Sequence, residues 1–482
     1  MQLSEYASHD ALGLAELIAR GEVSPREVAA TAMRAIEAAN PALMAVVETY
    51  PDRIEGLDEA ALGDGPFRGV PFLIKDVFGH EEGRTIEFGS RLCRGMKVDG
   101  TAHLAELFRA AGLNILGRSN TPEYSMSGTA ENALHGNTSN PWRQGYSAGG
   151  SSGGAAAAVG AGMVPIAHGT DIAGSIRIPA GWCGGVGLKP SRGRISFGPA
   201  LDENGYGLST TFVQTKSIRD TAAMLDCVSV PQVGDPFLIP KPAETYAALA
   251  GKPAGRLRIG WSVKPLMGVP VDPEIVAAVE TVAKLLAEMG HEVTQADPDF
   301  DGLTAVRKFA DIWFFGFEQR LESYSKRSGH AIGPGMLEPV TQAIYEHSRR
   351  LTAGDFLAGM AELNNARRRL ARIYQDHDIW LGPTLAKVAE PHGRYNLGRT
   401  DVTMENCVEE ILAVPCQFTV AHNILGTPAL TLPLAMHSSG LPIGIQLGAP
   451  HAQEHVLLQL GAALEEAMPW ADRVPELHVS RM

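Results

Sequence analysis

The sequence is poor in cysteine and has no long hydrophobic run. Its five cysteines are scattered and odd in number, and no two of them stand in a CxxC spacing, which argues against a disulfide framework and a cysteine-ligated zinc site. No stretch approaches the roughly 18 apolar residues typical of a membrane-spanning helix. The N-terminus lacks the basic and apolar segments of a signal peptide. We therefore expect a reduced, cytoplasmic protein that does not enter a membrane.

Positive charge is also scarce. Lys and Arg number 41 against 54 Asp and Glu, which gives a formal net charge of −13. Nucleic-acid binding depends on basic groups that neutralise phosphates, so we expect no nucleic-acid partner. The 482 residues, of which 45% are hydrophobic, are enough for a large buried core.

Short apolar runs bounded by Gly or Pro alternate with helical patterns along the chain. One helix is predicted to begin after Ser24, with Pro25 in its first turn, and to end near Ala39, before Asn40-Pro41. Alternation of this kind predicts an α/β layered fold with a largely parallel or mixed sheet. The strand-like runs are Gly69–Ile74, Asn114–Leu116, Val164–His168 and Leu257–Trp261.

No clear linker divides the chain, and we expect a single domain over residues 1–482. Residues 300–375 look mostly helical and more polar than the rest, as an insertion would. Residues 376–450 return to strand-like runs, which suggests that they rejoin the sheet formed by the first part of the chain. The core of this domain is expected at about 65–230.

A Gly-rich segment, Gly149–Gly154, contains Ser151 and Ser152. A flexible linker has this composition. However, the segment occurs once and leads directly into the apolar run Ala155–Val159, which predicts a buried helix packed close to a strand. Glycines permit backbone angles that other residues avoid. We therefore interpret the segment as a loop that points serines into a cavity.

A second serine motif, Asp171–Arg177, places Ser175 after an Ile-Ala-Gly turn. Successive N–H groups in such a turn can bind an anion, as an oxyanion hole does. The alternative is a local turn in which Asp171 and Ser175 only satisfy the backbone.

A serine nucleophile needs a base, and Lys75 is the candidate. Neutralising an ordinary lysine at pH 7 costs about 4.6 kcal/mol, and burial beside the apolar run Val70–Ile74 lowers that cost. Strand alternation predicts that Asp76 points to the opposite side from Lys75. The alternative is a strand-end lysine paired with Asp76.

With these motifs, the chain resembles the amidase signature family. The stretches Ala148–Leu201 and Val213–Ala222 most resemble its branch of 6-aminohexanoate cyclic-dimer hydrolases and related amidases. The resemblance implies a mixed, mostly parallel central β-sheet flanked by helices on both faces. The segments that carry it are Gly117–Glu123, Glu131–Asn132, Gly136–Trp142, Gly149–Gly154, Gly169–Arg177, Pro179–Ala180, Cys183–Gly184, Gly187–Pro190, Gly426–Ala429 and Gly440–Leu447.

The resemblance implies a Ser-cisSer-Lys triad that hydrolyses carboxylic amides through an acyl-enzyme. Ser175 would be the nucleophile, Ser151 the proton relay, held after a cis Gly150–Ser151 bond, and Lys75 the general base. No metal or organic cofactor would be needed. The partners would be a small-molecule amide and water, and a homodimer is compatible with the family.

The resemblance also assigns supporting groups. Asp171 and Arg177 would hold the loop rather than react. The family usually has Gly-Gly-Ser where this chain has Ala173-Gly174-Ser175, which makes the shape of the oxyanion hole an open question. The oxyanion hole would be formed by the backbone N–H groups of Ile172, Ala173, Gly174 and Ser175.

We expect a stand-alone hydrolase of linear, cyclic or aryl amides, with carbamates or esters as further substrates. Alternatives are the glutaminase subunit of a tRNA-dependent amidotransferase and a catalytically silent scaffold with the same fold. Specificity is expected in the loops Tyr124–Thr129 and Leu201–Ser209 and in residues 305–340. The aromatic run Trp313–Phe317 is a candidate for acyl-pocket lining, although such clusters are commonly core. The candidate pocket residues are Tyr124, Met126, Thr129, Trp313 and Phe314.

A further motif, His451-Ala452-Gln453-Glu454-His455, matches the H-x-x-E-H pattern of inverted zinc peptidases. Only 27 residues follow it, which leaves little room for a third ligand. We expect no metal there.

Overall fold

An eleven-stranded β-sheet runs through the molecule, in a computed structural model that describes all residues, 1–482. Its strand order is β1-β3-β2-β8-β10-β9-β14-β15-β13-β11-β12, and β4–β5 and β6–β7 form separate two-stranded ribbons. The strands are β1 (Val46–Thr49), β2 (Pro71–Lys75), β3 (Asn114–Ser119), β4 (Glu131–Asn132), β5 (Gly136–Asn137), β6 (Ser139–Asn140), β7 (Arg143–Ser147), β8 (Ile166–Asp171), β9 (Val186–Lys189), β10 (Thr210–Thr215), β11 (Arg258–Trp261), β12 (Glu292–Gln295), β13 (Ile379–Pro383), β14 (Ala429–Met436) and β15 (Pro442–Gly448).

Eighteen α-helices accompany the strands. Residues 302–376 form five of them, as the helical pattern predicts. The helices are α1 (Leu3–Ser8), α2 (Ala11–Ala19), α3 (Pro25–Leu43), α4 (Asp52–Glu55), α5 (His103–Ala110), α6 (Gly153–Gly160), α7 (Arg177–Cys183), α8 (Ile218–Val228), α9 (Tyr246–Ala250), α10 (Pro273–Glu288), α11 (Gly302–Phe314), α12 (Phe317–Ser328), α13 (Pro339–Ser348), α14 (Ala353–Leu370), α15 (Ile373–Asp376), α16 (Ala413–Cys416), α17 (Val420–Leu425) and α18 (Glu454–Ala467).

The sheet is mixed, and the prediction of a mixed α/β fold flanked by helices is confirmed. Parallel pairs lie towards its two ends, in β3-β2-β8 and in β13-β11-β12. Strands in the middle of the sheet, from β8 to β13, pair antiparallel, as does β1 with β3 at the edge. The late strands β14 and β15 stand beside β9 in this sheet, so both ends of the sequence build one sheet.

Helices cover both faces of the sheet. On β14, Leu430 lies against Gly461 of α18, whereas its neighbour Thr431 lies against Gly444, which in turn touches Gly181 of α7. Successive side chains on a strand point to opposite faces, so α18 and α7 lie on opposite sides. A second hydrophobic cluster surrounds helices α11 to α14, separate from the main core on the sheet.

The first long helix differs from its sequence-based bounds. Ser24 caps α3 as predicted, because its side chain accepts the N–H of Glu27 at 3.1 Å. The helix runs to Leu43 rather than Ala39, with Pro41 inside its last turn. Asn40 explains the extension, since its carbonyl accepts the N–H of Met44 and its side chain accepts the next two N–H groups.

Two parallel strands bring the candidate site together. β2 ends at Lys75 and β8 ends at Asp171, and the two strands pair in parallel. Their carboxyl ends therefore meet at the same edge of the sheet, where α/β proteins place ligand sites. None of the helices is both long and apolar enough to cross a membrane.

Candidate active site

Lys75 is buried among hydroxyl groups at the end of β2. Its Nζ donates to Ser151 Oγ at 2.7 Å, to Thr170 Oγ1 at 2.8 Å and to Ser152 Oγ at 3.1 Å. The side chain has no exposed surface and forms no salt bridge. Burial holds the pKa of Lys75 well below its usual value, against the opposing fields of Asp171 and Asp76. The amine can therefore be neutral near physiological pH, as a general base must be.

Two histidines fix the backbone of Lys75. His168 Nδ1 accepts its N–H at 3.3 Å, and His80 Nε2 lies 2.7 Å from its carbonyl oxygen. Burial lowers the pKa of both imidazoles, that of His80 to about 4. Both rings are therefore neutral near pH 7 and orient the strand end without adding charge beside Lys75.

Asp76 points away from Lys75. Its carboxylate accepts the N–H groups of Glu87 at 2.8 Å and Gly89 at 3.0 Å, and pairs with Arg118 at 2.7 Å. The predicted alternation is therefore found, and the alternative of a Lys75–Asp76 pair is excluded.

Ser151 and Ser152 lie in a buried turn directly before α6. The Gly150–Ser151 peptide bond is cis, as the resemblance implies. The linker interpretation is wrong, because Gly153–Gly160 form a helix packed against β2 and β8. Glycine is needed at Gly154, where a Cβ would collide with the backbone of Asn120.

The Ser175 loop is organised by Asp171. Its carboxylate accepts the N–H groups of Gly174 at 2.8 Å and Ile176 at 3.2 Å and pairs with Arg177 at 2.9 Å. Burial raises the pKa of Asp171, but Arg177 and neighbouring hydrogen bonds outweigh it and bring the pKa to about 2. Asp171 therefore stays ionised near neutral pH, and its carboxylate holds the turn in place. Next to it, the carbonyl of Ser175 accepts the N–H of Ser152 at 3.2 Å.

Backbone N–H groups in this loop differ in their availability. That of Gly174 is committed to Asp171, whereas those of Ile172, Ala173 and Ser175 have no acceptor in the protein. Of the four backbone N–H groups that the resemblance assigns to the oxyanion hole, three are therefore free, and the prediction for Gly174 is wrong. Gly174 is the position that requires glycine, because its φ is +136° and a Cβ would collide with Thr419 Oγ1. Ala173 has no positive φ, so the departure from Gly-Gly-Ser fits the backbone.

A cavity opens onto Ser151. Its void, including the open mouth, is about 550 Å³. Of the predicted pocket residues, Tyr124, Met126 and Trp313 line it, whereas Thr129 and Phe314 are buried elsewhere, Thr129 behind Gly150 and Phe314 against Trp313. The lining is Val77, Phe78, Phe88, Tyr124, Ser125, Met126, Ser151, Thr170, Ile172, Asn204, Ser209, Trp313, Phe317, Arg320 and Tyr324.

Sequence reasoning missed one wall of this cavity. Phe317, Arg320 and Tyr324 lie three and four residues apart on α12, so one face of that helix meets the void. The helical spacing of these three residues is the feature of the sequence that could have identified this wall. Thr170, which contacts Lys75 and lines the cavity, was not predicted either, although it directly precedes the second serine motif, Asp171–Arg177.

Two groups of side chains resemble metal sites. Asp76, Glu87 and His135 bring ligand atoms close together, but the guanidinium of Arg118 already pairs with both carboxylates, at 2.7 Å and 2.8 Å. In the H-x-x-E-H motif, Glu454 is buried and pairs with Arg194 at 3.2 Å. The carboxylates of each group are thus already paired with a fixed guanidinium, and neither group supports a metal centre.

Comparisons with known proteins place nearly the whole chain beside amide-hydrolysing enzymes. The family model for amidases matches residues 27–458. The chain is 36% identical to 6-aminohexanoate-cyclic-dimer hydrolase of Paenarthrobacter ureafaciens, over 97% of this chain and 96% of that protein. It is 32% identical to an acylamidase of Rhodococcus erythropolis, over 96% of each. A solved structure of 6-aminohexanoate cyclic dimer hydrolase superposes with a TM-score of 0.93, at 34% identity, covering 98% of this chain and 99% of that one.

Proposed function

The chain belongs to the amidase signature family of amide-hydrolysing enzymes, and we propose that it acts with Ser175 as nucleophile, Ser151 as proton relay and Lys75 as general base. The single observation that carries this proposal is the buried contact of Lys75 Nζ with Ser151 Oγ, at 2.7 Å. A neutral amine has a lone pair that can accept the Ser151 proton. Because Lys75 is buried and has no carboxylate partner, its amine loses its proton more easily, and the lone pair is then available.

The reaction begins when Ser175 Oγ attacks the carbonyl carbon of the amide. Its proton passes to Ser151 Oγ, and the Ser151 proton passes to Lys75 Nζ. The carbonyl oxygen becomes an oxyanion and accepts hydrogen bonds from the free N–H groups of Ile172, Ala173 and Ser175. Asp171 and Arg177 take no part in proton transfer, and they hold the turn that presents these donors.

Collapse of the oxyanion breaks the C–N bond. The proton on Lys75 returns through Ser151 to the leaving nitrogen, which departs as an amine and leaves an ester on Ser175. Water then attacks this ester, with its proton passing along the same relay, and the carboxylic acid is released. The cycle consumes one water and restores all three groups, and no step calls for a metal or an organic cofactor.

The cavity favours small-molecule amides with apolar substituents, whether linear, cyclic or aryl, with carbamates and esters as further candidates. Its aromatic lining contains no carboxylate, whereas an amino-acid substrate such as glutamine needs an acidic partner for its ammonium group. This favours a stand-alone amidase over a glutaminase subunit. A silent scaffold would gain nothing from a buried, unpaired lysine. The cytoplasmic setting, the lack of nucleic-acid partners and the homodimer stay predictions.

The test is hydrolysis of a panel of 4-nitroanilides and simple aliphatic amides, with glutamine included and ammonia measured. We expect turnover of apolar anilides, none of glutamine, and at least a roughly 1,000-fold loss in Ser175→Ala. Ser209→Ala is the matched control, because Ser209 lines the same cavity without touching Lys75. Undiminished turnover in Ser175→Ala would refute the assignment, and turnover of glutamine alone would favour the glutaminase.

A further inference from the structure

Arg320 is the one charged side chain in the lining of the cavity. The other lining residues are aromatic, aliphatic or uncharged polar. The Arg320 side chain is partly exposed to solvent, and no carboxylate of the protein pairs with it. Its charge is therefore open to an anionic group of a ligand that enters the cavity.

The contacts of Arg320 within the protein use only part of its donor capacity. Nη2 donates to the carbonyl of Trp313 at 3.1 Å, and the guanidinium carbon lies 5.4 Å from the ring centre of Phe317. The Arg320 side chain makes no other hydrogen bond and no salt bridge with the protein. A guanidinium carries five N–H groups, so four remain for a ligand or water. The contacts with Trp313 and Phe317 hold one side of the guanidinium and leave these donors available.

The placement of Arg320 relates it to the reacting groups. It lies on α12 between Phe317 and Tyr324, and these three side chains face the same void as Ser151. A substrate with its amide at the serines and an apolar body in the cavity therefore meets the guanidinium with another part of its structure. Arg binds carboxylates through two parallel N–H···O bonds, which are among the strongest hydrogen bonds in proteins.

We propose that Arg320 binds a carboxylate on the substrate, so that the enzyme prefers amides carrying an anionic substituent beyond an apolar spacer. This inference rests on the proposed function and names the substrate class for the same site. A hydrogen bond to a charged group contributes about tenfold or more in affinity. The preference for a substrate with a carboxylate is therefore large enough to measure.

The experiment compares two matched pairs of substrates. The first pair differs on the acyl side, where glutaryl 4-nitroanilide has a carboxylate and valeryl 4-nitroanilide has a methyl group. The second pair differs on the amine side, where N-hexanoyl-4-aminobenzoate has a carboxylate and N-hexanoyl-4-toluidine has a methyl group. We expect the wild type to favour the carboxylate of at least one pair by about tenfold or more in kcat/KM. Arg320→Gln should abolish that preference by lowering kcat/KM for the carboxylate member far more than for the uncharged member.

Arg327→Gln is the matched control. It removes the same charge from the same helix, but Arg327 pairs with Asp99 at 2.9 Å and does not line the cavity. This variant should keep the preference. Arg320→Lys should keep part of it, because an ammonium supplies charge without the bidentate fork. Equal losses for both members of a pair in Arg320→Gln would mean that the residue only supports Trp313, and would overturn the proposal.

A binding measurement separates this inference from the proposed function. Dissociation constants for the same compounds are measured by calorimetry on Ser175→Ala protein, with and without Arg320→Gln. Tighter binding of the carboxylate member, lost with Arg320→Gln, supports the inference whatever the turnover. If wild type hydrolyses the uncharged anilides and neither binding nor turnover favours a carboxylate, the inference fails and the proposed function stands.

Discussion

Lys75 Nζ lies 2.7 Å from Ser151 Oγ in a site where the lysine has three hydroxyl neighbours and no carboxylate partner. Most buried lysines are paired with an acid, and such a pair holds the proton on the amine. Here Asp76, the adjacent residue, is taken up by Arg118 and two backbone N–H groups on the other side of the strand. The proposed role of Lys75 as general base requires this separation from Asp76.

The first prediction is a pH profile. Lys75 is active when neutral, so kcat/KM rises with pH along a limb that reports its pKa, and burial places this limb well below the usual lysine value. Thr170→Val removes a hydroxyl that accepts a hydrogen bond from the ammonium, which destabilises the charged form and moves the limb to lower pH. Thr431 lies on β14, three strands from β8, so Thr431→Val should leave the limb of the pH profile at the same pH. A limb unaffected by Thr170→Val would contradict the role of Lys75.

The second prediction concerns two adjacent small residues. Ala173→Gly restores the usual family residue at a position without a positive φ, so activity should stay within about threefold. Gly174→Ala forces a Cβ against Thr419 and Ile178 at φ +136°, a strain of about 1–3 kcal/mol before the clash is counted. It should reduce kcat by far more than Ala173→Gly does. Steady-state kinetics with thermal melting measure both, and comparable activity in the two variants would refute this account of the turn.

The third prediction concerns the buried pair Asp171–Arg177, neither of which has any exposed side-chain surface. Asp171→Asn leaves the Arg177 charge uncompensated, which costs about 3–5 kcal/mol in the free energy of unfolding. Asp378→Asn is the control, because Asp378 pairs with Arg258 at the surface and such pairs contribute about 0–1 kcal/mol. Denaturant unfolding measures both variants. Similar costs for the two would show that the internal pair does not brace the loop.

The fourth prediction is a pH dependence of stability. Burial, with the nearby charge of Glu123, raises the pKa of Glu338 to about 8. The folded state therefore holds this proton more tightly than the unfolded state, and stability falls as pH rises from about 4.5 to about 8. Glu338→Gln keeps a carbonyl for the Ala133 N–H, found at 2.8 Å, and does not titrate.

Above pH 8, Glu338→Gln should be more stable than wild type by on the order of 5 kcal/mol, with little difference near pH 4.5. Urea unfolding at pH 4.5, 6.5 and 8.5 measures this. Glu346→Gln, at an exposed position on α13, the helix that begins directly after Glu338, serves as the control. If wild type and Glu338→Gln lose stability in parallel between the lowest and the highest pH, Glu338 is not the titrating group.

Much of the site could be predicted because its parts lie in continuous motifs. Period-two alternation placed Lys75 and Asp76 on opposite sides of β2, and the small residues after Ser152 indicated a closely packed helix. The mixed sheet followed from alternating strands and helices, but the strand order did not, because the pairing of β9 with β14 joins segments about 240 residues apart. No local pattern encodes such contacts.

The cavity was predicted less well than the catalytic loop. The aromatic run at 313–317 spans the end of α11 and the start of α12 and contains both lining and core residues. Trp313 and Phe317 line the void, whereas Phe314 packs against Trp313. Arg320 and Tyr324 belong to the same face at helical spacing, yet sequence alone does not show which face of α12 meets the site. The commitment of the Gly174 N–H to Asp171 depends on the folded turn in the same way.

The most direct test of the central claim is the intact mass of the protein after incubation with a small fluorophosphonate near pH 8, followed by peptide mapping. We expect one adduct, located on Ser175, absent from Ser175→Ala and retained in Ser209→Ala. An adduct that persists in Ser175→Ala, or folded wild-type protein that takes up no label, would contradict the claim that a buried Lys75 activates Ser175 through Ser151.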